Sequence, residues 1–180
     1  MPKVVSANPI KFVTATLTRP TENPAVQYTA GDAMANAVTG AAILTLTNAA
    51  AENGGSGVIR QADVIDSANQ FVKCGIYLYI FDTAPAATND NAAWAPSDAD
   101  MARCLGCIFF STSYYQITNP GSGADGNCYC SWGGNTYLVK EFPFQCLHDS
   151  RNLYLVPVAQ NGYVPLSAES FTFNFLVEQR

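Results

Sequence analysis

The alternation of apolar and polar residues is the feature that most restricts what this chain can fold into. In the last segment, four apolar residues from Phe171 to Val177 occupy every second position, and the polar residues Thr172, Asn174 and Glu178 lie on the opposite side. Residues two apart point to the same side of a strand, so this spacing predicts a strand with one apolar face. The same period predicts further strands at 12–18, 43–47, 58–65, 73–81, 105–111, 127–132, 136–142 and 152–159.

Clusters of Gly, Asn, Ser and Pro separate these strands, as they do in sandwiches and barrels. They fall at 52–57, 119–126, 132–135 and 161–162. Asn161 and Gly162 both tolerate positive φ, which predicts a hairpin with a type I′ turn. The one helix start is at Ser97, a capping residue followed by aspartates that suit the positive end of the helix dipole. The sequence therefore predicts an all-β fold, an antiparallel β-sandwich of jelly-roll type with at most one short helix.

The chain of 180 residues and 19.3 kDa fits one domain. No linker long enough to divide it is present, so we expect a single sandwich domain over 11–180. Residues 1–10 form an N-terminal arm with two prolines and no helix or turn pattern. We expect this arm to be extended; it either lies along a neighbouring molecule or is disordered.

The segment 76–81 has apolar residues on both faces, because aliphatic and aromatic residues alternate along it. A strand of this kind belongs in the middle of a sheet or under a neighbouring subunit.

Charge and hydropathy exclude several classes of partner. Nine Lys and Arg against 14 Asp and Glu give a formal charge of −5, the wrong sign for binding phosphates. Charged residues make up 13% of the chain and the hydrophobic set 48%, which excludes intrinsic disorder. The strongest apolar run, 74–81, is far shorter than the roughly 20 residues of a membrane span. We predict no nucleic-acid partner and no membrane association. The start of the sequence shows no secretory pattern, so we expect synthesis in a cytoplasm.

Six cysteines and the single histidine are the sharpest candidates for chemistry. Cys74 stands apart, and the weak metal-ligand candidates are Cys104, Cys107, Cys128, Cys130, Cys146 and His148. Three interpretations remain open: a zinc site, disulfides formed in an oxidising medium, and reduced cysteines filling small core positions. The last is favoured, because the spacing differs from common zinc motifs and free Cys is among the most buried residues. We therefore predict no metal and no other cofactor.

Evidence for catalysis is weak. Cys146 and His148 are close in sequence, but no Gly-x-Ser-x-Gly elbow occurs, and we predict no enzymatic activity. Asp98, Asp100 and the run 89–91 carry oxygen ligands of the kind calcium uses, without the spacing of a calcium loop. Helix capping and turn formation explain them better.

Several segments, taken in order, resemble a small group of structural proteins from the virions of tailed bacteriophages. They are 14–20 (TATLTRP), 28–36 (YTAGDAMAN), 81–85 (FDTAP), 89–94 (NDNAAW), 97–100 (SDAD), 105–106 (LG) and 163–172 (YVPLSAESFT). The resemblance implies a non-enzymatic particle protein, a decoration or cement protein on the outer surface of the head. The cysteine cluster and the loop 121–127 depart from the group's pattern.

The resemblance also implies a partner and a location. The partner is the major capsid protein of the same phage, and copies of the chain form a homo-oligomer on the particle. The resemblance further implies that the particle assembles in the host bacterial cytoplasm, a location that agrees with free cysteines. The negative charge suits the capsid exterior better than contact with packaged DNA.

Aromatic residues are the expected anchors of such an interface, whose centre is poor in charge. The candidates are Trp94, Tyr114, Tyr115, Tyr129 and Trp132. Each has core packing as its alternative. Two other functions remain open: a component of the tail, neck or fibre, and a carbohydrate-binding sandwich that stacks sugars on Trp94 and Trp132.

Overall fold

The computed structural model describes residues 8–22, 26–68, 72–117, 128–131 and 141–180, with the backbone alone for 117 and 128–131. Within these ranges the chain forms ten strands, a four-residue helix and one 3-10 turn, Thr112–Tyr114. The strands are β1 Ile10–Thr18, β2 Leu44–Leu46, β3 Ser56–Asp66, β4 Ile76–Phe81, β5 Cys104–Phe110, β6 Tyr115–Ile117, β7 Cys128–Ser131, β8 Phe142–Gln145, β9 Leu153–Ala159 and β10 Ser170–Gln179. The helix α1, Asp98–Met101, lies between β4 and β5.

The strands form two antiparallel sheets. The first has the order β1-β10-β3-β7-β6, with β8 also paired to β3, and the second has the order β2-β9-β4-β5. The chain doubles back on itself, so that β1 pairs with β10, β2 with β9, β3 with β8, and β4 with β5. Successive pairs fall in alternate sheets, which is the wrapping of a jelly roll. The predicted all-β jelly-roll sandwich is therefore confirmed.

The hydrophobic core lies between the sheets and is built by the alternation seen in the sequence. On β10, Phe171, Phe173 and Phe175 are fully buried, while the residues between them are half-buried on the outward face. Phe173 meets Phe110 of β5 across the layers, with ring centroids 6.0 Å apart. Burying a side chain of this size stabilises the fold by about 1.5–3 kcal/mol.

The segment 76–81 lies where its composition predicts. It forms β4, which pairs with β9 on one side and β5 on the other. Its aliphatic residues Ile76, Leu78 and Ile80 are fully buried in the core. Its aromatic residues therefore point to the other side of the second sheet, away from the first.

The cap predicted at Ser97 is confirmed. The amide of Asp100 donates to the Ser97 hydroxyl at 3.1 Å, and the Ser97 amide donates to the Asp100 carboxylate at 3.2 Å. This capping box lowers the pKa of Asp100, because Ser97 and the amide of Ala86 donate to its charged form. Capping, rather than calcium binding, explains this aspartate.

The type I′ hairpin predicted at Asn161 and Gly162 is wrong. Neither residue has positive φ, and the chain crosses here from β9 in the second sheet towards β10 in the first. The Asn161 side chain accepts the amide of Gly75 at 2.7 Å, so it fixes a crossing segment instead of a tight turn.

Other differences concern short strands and the segments outside the described residues. The strand predicted at 136–142 falls mostly outside them, and the strand observed there is β8, which begins at Phe142. The three-residue strand β6 was not predicted. Most of the N-terminal arm, 1–7, and the turn clusters 119–126 and 132–135 also lie outside the described residues. Among the described helices, none has the length and apolar character needed to cross a membrane.

Candidate interaction surface

The outward side of the second sheet carries four aromatic residues and one cysteine, which together we call the aromatic face: Tyr77, Tyr79, Trp94, Cys107 and Phe109. Tyr77 on β4 and Phe109 on β5 are directly opposite each other in register. Their rings stack with centroids 4.7 Å apart and planes inclined by 23°. Each side chain remains 36% exposed. Offset stacking of this kind holds both rings in place and presents them to solvent as one apolar surface.

A second aromatic pair extends the face. The Tyr79 and Trp94 rings lie 4.2 Å apart at 40°. Trp94 reaches Tyr79 from the edge of the sheet, where the Trp94 amide donates to the carbonyl of Gly31 at 2.9 Å. The two rings cover a small buried cluster that includes Val156 and Val158 of β9. The aromatic face is therefore packed on its own apolar layer, outside the main core.

The aromatic face has no charged residue in its strands. The outward positions of β2, β9, β4 and β5, read from the strand register, are Thr45, Tyr77, Tyr79, Phe81, Cys104, Cys107, Phe109, Tyr154, Val156 and Val158. An ion pair between Arg103 and Asp82, 2.6 Å long, lies next to one end of β4 and β5.

The outward side of the first sheet is different, because short polar side chains are paired across its strands. Thr14 donates to Asn174 at 3.0 Å, and the hydroxyls of Thr18 and Ser170 lie 3.0 Å apart. Two apolar residues at one end of β1, Ile10 and Phe12, are also exposed. The two outward surfaces of the sandwich thus have opposite character, one hydroxyl-rich and one aromatic.

The structure separates the five predicted anchors. Trp94 is half-buried on the aromatic face, and Tyr114 is exposed in the 3-10 turn after β5. Tyr115 is 4% exposed and belongs to the main core, so we correct its assignment to an interface. Tyr129 lies on β7, opposite Ile65 in register, with its side chain not described. Trp132 lies outside the described residues.

Sequence reasoning missed the pair formed by Tyr77 and Phe109. The signal was the set of aromatic residues that alternates with aliphatic ones in the strand 76–81, which indicates two apolar faces but not what covers the aromatic one. Pairing with Phe109 depends on the register of β4 against β5, and period-two alternation does not distinguish registers that differ by two residues.

The cysteines are spread over both sheets. Cys104 and Cys107 lie on β5 of the second sheet, whereas Cys128 and Cys130 lie on β7 of the first. Cys74, Cys104, Cys107 and Cys146 are free thiols, of which Cys74 and Cys146 are buried. No group of three or more His, Cys, Asp or Glu side chains that could hold a metal occurs in the described part of the chain.

The Cys146 and His148 pair has poor chemistry for a nucleophile. His148 is exposed, while Cys146 is buried beside β8. Burial raises the pKa of the Cys146 thiol to about 11, whereas a nucleophilic cysteine needs a lowered pKa.

A buried ion pair lies at the end of β1, and sequence reasoning did not find it. Arg19 donates to the Asp90 carboxylate at 2.7 Å and to the Tyr28 hydroxyl at 2.5 Å. Tyr28 donates in turn to Asp90 at 2.5 Å, and the amide of Ala35 donates to the same oxygen at 3.0 Å. The network ties β1 to the segments around 28–35 and 90. Asp90 is thus part of a buried ion pair as well as of the turn 89–91.

Comparison with protein-family models and with curated proteins found no match to this chain.

Proposed function

We propose that this protein is a non-enzymatic structural component of a tailed-phage virion, a decoration or cement protein that binds the outside of the assembled head. The observation that carries the proposal is the aromatic face, with Tyr77 and Phe109 stacked, fixed and partly exposed on strands that have no charge at their outward positions. The resemblance in sequence supplies the class of particle.

The chemistry of the aromatic face suits a protein partner. Centres of protein interfaces are enriched in Tyr, Trp and Phe and depleted in charge. Exposed apolar patches on soluble domains commonly mark such interaction sites. We therefore place the capsid against the aromatic face and the hydroxyl-rich face of the first sheet towards solvent.

Cementing requires only binding energy. A protein that binds the assembled lattice more tightly than the free or expanding subunits stabilises the lattice, by no more than that difference in affinity. Weak contacts suffice when one copy bridges two capsid subunits, because the second contact forms at high effective concentration. Buried, unactivated thiols such as Cys146 agree with a role that involves no chemistry.

Binding to phage heads prepared without this protein tests the interface. We expect Tyr77→Ala and Phe109→Ala each to weaken cosedimentation with the heads about 30-fold, the effect of losing an anchor worth about 2 kcal/mol. Thr16→Ala, on the opposite face, is the matched control and should bind as the wild type does. Thermal unfolding of each variant checks that the domain is folded. Wild-type binding by both aromatic variants would reject the aromatic face as the interface.

Particle stability tests the cementing role separately. Heads without the protein should assemble but release DNA at lower temperature or milder osmotic stress, and added protein should restore resistance. Unchanged heat resistance would contradict cementing even if binding were found.

Copy number distinguishes the head from the tail. Hundreds of copies per virion support a head protein, and a dozen or fewer support a tail, neck or fibre component.

Carbohydrate binding is the other candidate that an exposed aromatic pair favours. It predicts that the isolated protein binds host-surface glycans and that Tyr77→Ala abolishes this binding. Trp94 is a poorer stacking platform than the sequence indicated, because its ring packs on Tyr79.

A further inference from the structure

Two buried carboxyl groups meet at one end of the first sheet. Asp66 is the last residue of β3, and Glu169 immediately precedes β10. Because β3 and β10 are antiparallel, with Asp66 opposite Phe171, both carboxyls come to the same end of the sheet. Between them lies Tyr163, from the segment that leads from β9 to β10. Asp66 is 0% exposed, Tyr163 1% and Glu169 3%.

The hydrogen bonds in this cluster require an additional proton. The Tyr163 hydroxyl is 2.8 Å from Oδ2 of Asp66 and is also hydrogen-bonded to Oε1 of Glu169. Each carboxyl also perturbs the pKa of the other. A phenol has one proton to donate, and an ionised carboxylate can only accept. With both carboxylates ionised, the hydroxyl could therefore satisfy only one of them.

The position of this proton follows from the remaining oxygens. Oδ1 of Asp66 accepts the amide of Ala68 at 2.8 Å, and Oε2 of Glu169 accepts the amide of Leu166 at 2.7 Å. Each of these two oxygens therefore already accepts a hydrogen bond from a backbone amide. The proton is therefore held in the space that Oδ2 of Asp66 and Oε1 of Glu169 share with the Tyr163 hydroxyl.

Among the described residues, two further ionisable groups lie around the cluster. The buried Cys74 thiol, just before β4, interacts electrostatically with both carboxyls and with Arg19 at the end of β1. The Arg19 side chain itself donates to Asp90 and Tyr28, and its amide donates to the carbonyl of Glu169 at 2.9 Å.

We propose that Asp66, Tyr163 and Glu169 form a latch held by one shared proton, which fastens the segment 163–169 to the end of β3 at neutral pH and releases it when the proton is lost in alkali. Once the proton leaves, two negative charges face each other without water. The contacts between Ser67 and Ser170, at 2.9 Å and 2.8 Å, are the next to open. The latch is independent of the surface by which the protein attaches.

The sign of the pH dependence follows from the direction of the shift. Burial and the neighbouring Asp66 raise the pKa of Glu169 to about 9. Burial also raises the pKa of Asp66. Above a pH of about 4.5 the unfolded chain has lost this proton while the folded chain keeps it, so folding weakens as the pH rises towards 9. Because one proton is involved, the folding equilibrium constant can decrease by at most about tenfold per pH unit.

Denaturant unfolding between pH 5 and pH 8 tests the latch in a range below thiol ionisation. We expect the wild-type folding constant to fall by close to tenfold per unit. Glu169→Gln should remove this slope, because the amide accepts from Leu166 and donates to Tyr163 without titrating. Glu178→Gln, near the other end of β10, is the matched control. Its carboxylate pairs with Arg60, which lowers its pKa to about 2, so the wild-type slope should remain.

Two measurements on the folded wild-type protein keep the test decisive if Glu169→Gln does not fold. With ¹³C-labelled carboxyl groups, one Asp or Glu carboxyl should titrate above pH 7. Hydrogen exchange at the amides of Leu166 and Ser170 should rise above pH 9 more than intrinsic exchange does. If all carboxyls titrate below pH 6, or if Glu169→Gln keeps the wild-type slope, the latch is refuted. Wild-type exchange that follows the intrinsic rate would refute the release step.

Discussion

Removing Arg19, whose ion pair is buried, should destabilise the fold far more than removing an arginine from an exposed ion pair of similar length. Arg19→Met leaves the Asp90 carboxylate buried, and its remaining donors among the described residues are the Tyr28 hydroxyl and the Ala35 amide. Both side chains of this pair are 0% exposed, so water cannot replace the lost guanidinium. Breaking a buried pair in this way costs about 3–5 kcal/mol. For a domain of this size that corresponds to a fall in Tm of about 6–20 °C.

The matched control is Arg103→Met. The Arg103–Asp82 pair is 2.6 Å long and the Arg19–Asp90 pair is 2.7 Å, but the Arg103 side chain is 43% exposed. An exposed pair contributes about 0–1 kcal/mol, so this variant should unfold close to the wild type. Urea unfolding at pH 7, followed by circular dichroism, measures both.

A double variant identifies the cause of the loss. If the cost of Arg19→Met comes from an uncompensated charge on Asp90, adding Asp90→Asn should recover part of the stability. If Arg19→Met costs less than about 1 kcal/mol, as Arg103→Met is expected to, burial does not control the strength of this ion pair, contrary to the prediction.

Two further predictions concern the thiols and one glycine. A thiol reagent added to the folded protein should label the exposed Cys107 first and the buried Cys74 only after unfolding, as measured by peptide mass spectrometry; early labelling of Cys74 would contradict its burial. Gly57→Ala should destabilise the domain by about 1–3 kcal/mol in urea unfolding. Its Cβ would lie 2.6 Å from the Phe144 ring and 2.8 Å from the carbonyl oxygen of Glu178, and a neutral effect would show that β8 can move away.

Elements whose signal lies within one short segment of the sequence were predictable. The alternation from Phe171 to Val177 specifies which face of β10 is buried, whatever its neighbours are. Ser97 and Asp100 satisfy each other within one turn, so the helix start was readable from four residues. Asn161 and Gly162 show the limit of such reasoning. Their local preference for a hairpin turn yields to a crossing between sheets, where Asn161 binds the distant Gly75.

The candidate surface was only half predictable. Trp94 was identified as a candidate from its residue type, but Tyr115 has the same character and turned out to be buried. The side of the sheet that a residue faces, and whether a neighbouring segment covers it, depend on contacts between strands far apart in sequence. Tyr77 and Phe109 form one surface only because β4 and β5 pair in a register that places them opposite each other.

By itself, the sequence determined that this chain is an all-β sandwich, because period-two alternation is a local property that each strand carries independently. Tertiary structure alone decided the aromatic face and the shared proton between Asp66 and Glu169. These carboxyls are 103 residues apart in the chain, and nothing near either of them signals burial. They meet because β3 and β10 run antiparallel side by side, and the loss of water around both of them makes one keep its proton.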